Sequence, residues 1–294
     1  MSARADGQPG SDTTSSTVAG IYAEPKVDTH CHVLDPVRFP YGDDSVYRPS
    51  GQEVGTSAQL MEMFSAYGVE RALLVGPNSG YEQDNRCMLD AIARSEGRLK
   101  GIAVVPLDCP IHELERLKAQ GVVGVAFNAT FHGASYYRDA AGLLAMLERL
   151  GMCVSLQVQG DQLVVLGPLL ERSGVRILVD HCGRPTVEAG LDQPGFRNLL
   201  ALARTKRVFV KLSGYVKFAR PAFLYEDARP CVDALLDAFT PDGCMWASDW
   251  PFLRATQRVD VGPLLKLFER LVPAADDRRR IFWETPCRIL DFPP

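Results

Sequence analysis

Two histidines with one residue between them, His30 and His32, follow a short apolar run near the start of the chain. Side chains of an extended strand alternate between its two faces, so both imidazoles point to the same side if this segment is a strand. Two imidazoles this close repel each other when both are charged, so we expect them to be held neutral by a metal ion or poised by a neighbouring carboxylate. The pair therefore predicts a metal site or an acid–base site at one end of a strand.

The elements that must position this pair are eight short apolar runs, each of a length and composition typical of a strand buried on both faces. The runs cover residues 27–32, 71–76, 101–107, 122–128, 153–158, 176–181, 208–213 and 244–249. Helical patterns separate them at residues 58–67, 86–96, 112–120, 140–150, 162–173, 196–204, 228–239 and 261–271, with a further helix near 276–290. Repeated strand–helix units predict a parallel sheet, and eight units predict an α/β fold, the single-domain (β/α)8 TIM barrel.

Length and composition are those of one large globular domain. The chain has 294 residues, of which 46% are hydrophobic and 23% charged, and its net charge of −4 gives no reason to expect nucleic acid as a partner. Residues 1–22 are rich in Ser, Thr, Gly and Asp, so we expect a disordered N-terminal lead there and the barrel domain over residues 23–294. The chain has no run of 18 apolar residues and no Cys-x-x-Cys pair among its eight cysteines. A cytoplasmic protein with reduced, buried cysteines and no membrane partner is therefore predicted.

Polar residues recur at the carboxyl ends of the predicted strands, where the side chains of a barrel converge. Besides the two histidines, they are Asn78, Asn128, Gln157, Gln159, Asp180, His181, Lys211, Ser213 and Asp249. Structural roles are open for several of them: His181 as a hydrogen-bonded core residue, Asp249 as a helix cap and Lys211 as the partner of a carboxylate. Their concentration at one end of the predicted barrel favours an active site.

Three motifs in series carry a resemblance to the amidohydrolase superfamily. They are Asp28-Thr29-His30-Cys31-His32, Asp180-His181-x-Gly183-Arg184-Pro185 and Trp246-x-Ser248-Asp249-Trp250-Pro251. The chain resembles the branch that contains 2-pyrone-4,6-dicarboxylate lactonase and sugar-lactone hydrolases. This resemblance implies that Asp249 takes a proton from an attacking water, and that His30, His32 and His181 polarise the lactone carbonyl or hold a metal. It implies either no required cofactor or one divalent ion such as zinc, held by these three histidines and Asp249.

Departures from the family pattern bear on the number of metal ions and on the charge of the substrate. Superfamily members with two metals have a lysine or an acid on strand four and a histidine on strand five, where this chain has Asn128 and Gln157. An amide is a poor zinc ligand, so the sequence argues against a two-metal site. The lactonase holds two substrate carboxylates with arginines, and this chain has Ala126, His132 and Lys217 at those positions. We therefore expect a lactone with fewer negative charges than a dicarboxylate.

Two long predicted connections, at residues 36–55 and 214–225, follow strands one and seven and would lie at the mouth of the barrel. The predicted substrate-binding residues are Tyr47, Asn78, Asn128, His132, Gln157, Tyr215 and Lys217. The leading hypothesis is a hydrolase that opens the ring of a small lactone from sugar-acid or aromatic catabolism, by water attack assisted by Asp249. A metal-dependent non-oxidative decarboxylase, a lactone isomerase and a non-catalytic binding barrel are the alternatives. A small lactone is the expected partner, and homo-oligomerisation is left open.

Overall fold

The computed structural model describes residues 20–221 and 224–293. Eight parallel strands form one sheet, and their order in the sheet is their order along the chain. The strands are β1 (Lys26–Cys31), β2 (Val69–Val75), β3 (Leu99–Ala103), β4 (Val122–Asn128), β5 (Cys153–Gln157), β6 (Arg176–Val179), β7 (Val208–Leu212) and β8 (Cys244–Trp246). Just beyond β8, the Asp249 N–H donates to the His30 carbonyl at 2.8 Å, which joins the last strand to the first. The sheet is a nearly closed (β/α)8 barrel, so the predicted fold class is confirmed.

Helices connect successive strands on the outside of the barrel. They are α1 (Gly20–Ala23), α2 (Ser57–Tyr67), α3 (Arg86–Ala93), α4 (Ile111–Ala119), α5 (Ala129–His132), α6 (Ala141–Leu150), α7 (Gln162–Arg172), α8 (Pro194–Leu202), α9 (Arg229–Phe239), α10 (Val261–Leu271), α11 (Ala275–Arg279) and α12 (Thr285–Leu290). Helix α6 ends at Gly151 with a φ of +66°, the left-handed cap that favours glycine. Helix α7 ends differently, with Ser173 in the extended region and no positive φ at Gly174.

The barrel is filled by apolar packing at the amino-terminal ends of its strands. Barrel residues including Val27, Leu73 and Met245 form one buried cluster with Leu290 and Phe292 from the C-terminal segment. The barrel interior is therefore apolar at this end, and the polar residues predicted to form the site lie at the carboxyl ends of the strands.

The N-terminal lead predicted for residues 1–22 lies mostly outside the described residues. Of the domain predicted for residues 23–294, the last residue, Pro294, also lies outside them. Residues 20–22 are part of α1, where Ile21 is fully buried, so these three residues pack with the barrel. All eight cysteines are buried and free, as the sequence predicts. Among the described residues, no helix has the length and apolar character needed to cross a membrane.

Candidate active site

Three histidine side chains surround one carboxylate at the carboxyl end of the barrel. Asp249 Oδ1 lies 4.0 Å from His30 Nε2, 3.7 Å from His32 Nε2 and 3.6 Å from His181 Nε2. The four side chains are at most 8% exposed. The structure thus brings together the four residues that the sequence nominates as catalytic, from the ends of β1, β6 and β8.

The strand that carries the first two histidines is tied to the residues around Asp249. Asp28 accepts hydrogen bonds from the Ser248 N–H at 3.0 Å, from the Ser248 hydroxyl and from the His30 N–H at 3.2 Å. Burial raises the pKa of Asp28 to about 6, although the Ser248 hydrogen bonds act to lower it. Asp249 itself has a φ of +61°, a conformation that is unfavourable outside glycine and is often found at functional sites. The Asp28–Ser248 pair thus holds β1 and the segment after β8 in a fixed relation.

His181 depends on a glycine for its position. It follows β6 with a φ of +54°, and its Nδ1 lies 3.1 Å from the Ser213 hydroxyl. Gly214 has a φ of +63°, and a Cβ at that position would lie 2.5 Å from the His181 ring. Only glycine suits both the left-handed backbone and this close approach. The connection after β7 therefore fixes the third histidine.

The Nδ1 atoms of the two strand-one histidines are engaged by polar groups on neighbouring parts of the barrel. His32 Nδ1 lies 2.7 Å from the Val75 carbonyl oxygen, which can only accept, so this nitrogen donates. His30 Nδ1 lies 3.2 Å from Asp180 Oδ1, a second acceptor. Burial lowers the pKa of His30 to about 4, although Asp180 acts to raise it. With their Nδ1 atoms engaged in this way, both rings turn their Nε2 atoms toward Asp249.

This donor set fits one divalent cation. Ligand atoms of His30, His181 and Asp249 all lie within 4.8 Å of one another. A tetrahedral zinc ion with bonds of about 2.1 Å would separate its ligand atoms by roughly 3.4 Å, close to the distances observed around Asp249. Imidazole nitrogens and a carboxylate oxygen are also the ligand types that zinc accepts. The cluster is chemically and geometrically suited to a single divalent metal.

A cavity of about 490 Å³ opens above the cluster, and its wall at β4 and β5 is made of neutral amides. Asn128 and Gln157 are paired in register across these strands, and the Gln157 amide donates to Asn128 Oδ1 at 3.2 Å and to the Thr130 hydroxyl at 2.7 Å. The Asn128 amide in turn donates to Asn78 Oδ1 at 3.1 Å. Three predicted substrate-binding residues therefore share one hydrogen-bonded wall. Carrying no net charge, this wall suits neutral polar groups of a ligand.

Other parts of the cavity lining are cationic. Lys217 Nζ lies 3.6 Å from Asp249 Oδ2 and also donates to the Leu253 carbonyl. Arg184 lines the cavity with its Nε buried and without a hydrogen-bond partner among the described residues. Arg254, from the connection after β8, lines the cavity as well. Sequence reasoning nominated Lys217 but missed both arginines, although Arg184 belongs to a recognised motif and stands three residues after His181.

Three other predicted substrate-binding residues lie away from the cavity lining. Tyr47 donates its hydroxyl to Glu53 and its ring lies 4.4 Å from the Arg254 guanidinium, so it contacts a lining residue from outside. His132 Nε2 lies 3.3 Å from the Asn78 amide nitrogen, behind the amide wall. Tyr215 is 3% exposed, and no described residue bonds its buried hydroxyl. Their role in substrate binding stays a prediction.

Comparisons with known proteins agree with this geometry. The amidohydrolase family model matches residues 27–292. The chain is 32% identical over 269 residues to 4-sulfomuconolactone hydrolase of Hydrogenophaga intermedia, covering 89% of this chain and 87% of the relative. It is 29% identical over 279 residues to 2-pyrone-4,6-dicarboxylate hydrolase of Comamonas testosteroni, covering 90% and 89% of the two chains. A crystal structure of a probable 2-pyrone-4,6-dicarboxylic acid hydrolase from Acinetobacter baumannii, with citric acid bound, superposes with a TM-score of 0.82 at 27% identity, covering 91% of this chain and 99% of that one. The chain belongs to the amidohydrolase family.

Proposed function

We propose that this protein hydrolyses the ring ester of a small anionic lactone. The observation that carries the proposal is the Asp249 carboxylate, held between three imidazole nitrogens and the Lys217 ammonium at the floor of the cavity. Ester hydrolysis requires a base for the attacking water and positive charge where the oxyanion develops. The site offers both within hydrogen-bonding reach of one small ligand. The related hydrolases named above support the same reaction class.

The reaction follows from these positions. Asp249 accepts a proton from a water molecule as the water oxygen forms a bond to the lactone carbonyl carbon. The resulting oxyanion develops beside the cationic side of the cavity, where Lys217 is the nearest ammonium to Asp249. The ring C–O bond then breaks, and the proton held by Asp249 passes to the departing ring oxygen. The product is an open-chain hydroxy acid.

The histidine–aspartate cluster would hold one divalent ion, which would supply Lewis-acid polarisation of the carbonyl. We expect the chelator-treated protein to bind one equivalent of zinc. Replacing His181 with alanine should weaken this binding by at least the roughly 10–100-fold that loss of an outer-shell partner costs. Isothermal titration calorimetry measures the affinity directly. The control is His112→Ala, which alters an exposed histidine of α4. Equal zinc binding by the two variants would place the ion elsewhere.

The lining of the cavity defines the substrate class. A lining that combines neutral amides with cationic side chains suits a lactone that carries both an acidic substituent and neutral polar groups. The names of the related 4-sulfomuconolactone and 2-pyrone-4,6-dicarboxylate hydrolases also specify lactones with acidic groups. Because Arg184 and Arg254 line the cavity, the guanidinium groups that the sequence comparison found missing are supplied from other positions, and an anionic substrate is favoured.

Replacing Arg184 with methionine should raise KM for an anionic lactone by about 10–100-fold and leave kcat nearly unchanged, since a hydrogen bond to a charged group contributes about 1.5–3 kcal/mol. Steady-state kinetics with an anionic lactone and a neutral lactone of similar size provide the measurement. Arg207→Met is a matched control, because Arg207 also has a buried guanidinium nitrogen without a partner among the described residues but does not line this cavity. If KM for the neutral lactone rises as much, Arg184 does not recognise the acidic group.

The function itself is tested with a panel of lactones in water enriched in ¹⁸O, with product analysis by mass spectrometry. Hydrolysis places one solvent oxygen in the product. Isomerisation leaves the mass unchanged, and decarboxylation releases carbon dioxide. Any result other than incorporation of solvent oxygen, for a panel that includes anionic five- and six-membered lactones, would overturn the proposal.

A further inference from the structure

A buried lysine lies directly behind the cluster, out of reach of a substrate. Lys211, on β7, has no exposed surface and does not line the cavity. Its Nζ lies 2.8 Å from Asp180 Oδ1, 2.8 Å from the Ser155 hydroxyl and 3.3 Å from His30 Nδ1. A charged side chain is costly to bury, so it is retained where hydrogen bonds and an opposite charge compensate it. The reaction proposed above gives this lysine no role.

The hydrogen bonds of this group have one consistent direction. Lys211 can only donate, and its two shortest contacts are the Asp180 oxygen and the Ser155 oxygen. The Ser155 hydroxyl then donates to Asp180 Oδ1 at 2.9 Å. The same Asp180 oxygen lies 3.2 Å from His30 Nδ1. Because Asp180 receives the other two donors, its position is fixed, and both Asp180 Oδ1 and Lys211 Nζ face His30 Nδ1.

We propose that Lys211, together with Asp180, is a positioning residue that holds the His30 ring in one orientation and one tautomer, with its Nε2 facing Asp249. An unsupported carboxylate could rotate and release the ring, as could a histidine without a partner on its second nitrogen. Three strands contribute to the arrangement, since Ser155 lies on β5, Lys211 on β7 and His30 on β1. Outer-shell partners of this kind orient the residues that perform the chemistry.

The catalytic part of this inference rests on the proposed hydrolysis, and its structural part does not. The structural part is measured by NMR of ring nitrogens in protein labelled with ¹⁵N-histidine, which has only five histidines. His30 is assigned from the signal that disappears in His30→Gln. We expect the wild-type signal to show a single neutral tautomer, and Lys211→Met to change that pattern. An unchanged His30 signal in Lys211→Met would overturn the proposal whatever the protein hydrolyses.

The chain supplies a matched control in Lys26, the other lysine with no exposed surface among the described residues. Its Nζ donates to backbone carbonyls at the opposite end of the barrel, including that of Tyr67 at 3.0 Å. Lys26→Met removes an equally buried ammonium and should lower stability without changing the His30 signal. For hydrolysis, we expect Lys211→Met to lower kcat by about 10–100-fold with KM nearly unchanged, and Lys26→Met to leave kcat close to wild type. Equal kcat losses in both lysine variants would indicate a structural role alone.

A double variant keeps the test decisive if Lys211→Met does not fold. Asp180→Asn combined with Lys211→Met removes both charges, and a neutral buried pair is often tolerated where a single buried charge is not. Residues that act as one unit have non-additive effects, so the double variant should lose no more kcat than Asp180→Asn alone. The His30 signal should also depart from the wild-type tautomer pattern in the double variant. Independent, multiplicative losses in kcat or a preserved His30 pattern would contradict the positioning role.

A wild-type protein that opens no lactone, with the expected NMR changes in its lysine variant, would refute only the proposed function.

Discussion

Replacing Asp249 with asparagine is expected to lower kcat for lactone hydrolysis by about 10²–10⁴-fold, the contribution typical of a general base. Asparagine has nearly the same shape but no carboxylate, so it cannot take a proton from water. The backbone N–H of residue 249, which donates to the His30 carbonyl, is retained, so the barrel should still close. Initial-rate kinetics together with thermal unfolding separate loss of the base from loss of the fold.

Asp161→Asn is the matched control for this variant. Asp161 Oδ1 accepts a hydrogen bond from the Gly195 N–H at 2.8 Å, and an asparagine side-chain oxygen can accept it equally. We expect that variant to keep wild-type rates. If Asp249→Asn also retained its rate, the base would have to be another group and the proposed reaction would be wrong.

The pH dependence of kcat/KM provides a second test of Asp249. Burial alone would raise the pKa of Asp249, but Lys217 and the surrounding histidines hold it well below its usual range. The carboxylate is therefore deprotonated throughout the neutral and mildly acidic range. We expect neither this carboxylate nor His30, whose pKa is lowered to about 4, to cause a fall in kcat/KM above about pH 5. A fall near pH 6 would come from Asp28, whose pKa is raised to about 6.

The sequence is sufficient for much of this site because its strongest signals are local. Alternation along an extended strand places His30 and His32 on one face, and that requires no knowledge of the rest of the chain. The predicted strand over residues 122–128 matches β4 in both bounds. The strands predicted to end at His181 and Asp249 end earlier, at Val179 and Trp246, because both functional residues have left-handed backbones. Side-chain propensity does not predict that conformation outside glycine, which is why the ends of functional strands are misplaced.

Contacts between distant loops are what the sequence could not show. Glu53, in the connection after β1, accepts from the Tyr47 hydroxyl and from the Arg254 N–H, which places Arg254 at the cavity. No local pattern links residues some 200 positions apart, and loop conformation depends on such tertiary contacts. Likewise, Lys211 could be assigned a carboxylate partner from its type, but the identity of that partner as Asp180 needs the packing of β6 against β7. The site residues are thus predictable where they follow strand periodicity, whereas the residues that hold them in place are visible only in the three-dimensional structure.

Lys217 is the second residue whose loss is expected to have a large effect. Its Nζ is the nearest lysine nitrogen to Asp249, at 3.6 Å from Oδ2, and that oxygen has no hydrogen-bond partner among the described residues. A side chain that is 13% exposed keeps its charge poorly screened, so it acts strongly on the carboxylate and on an oxyanion beside it. The gap of 3.6 Å exceeds a direct hydrogen bond, which leaves the ammonium free to approach the developing negative charge.

Lys217→Met should therefore lower kcat by about 10²–10³-fold, the loss typical of removing one donor that stabilises an oxyanion. The pKa of Asp249 should rise at the same time, since Lys217 is the largest of the charges that lower it, and the acid limb of kcat/KM should move to higher pH. Lys118→Met provides the matched control, because the Lys118 ammonium also donates to a backbone carbonyl, that of Leu150, but lies outside the cavity lining. A loss of kcat without any shift of the acid limb would assign Lys217 to the oxyanion alone, and unchanged values of both would remove it from the mechanism. Of the described lysines, only Lys217 lines the cavity, so its ammonium is the one lysine charge that can act on both the base and the oxyanion.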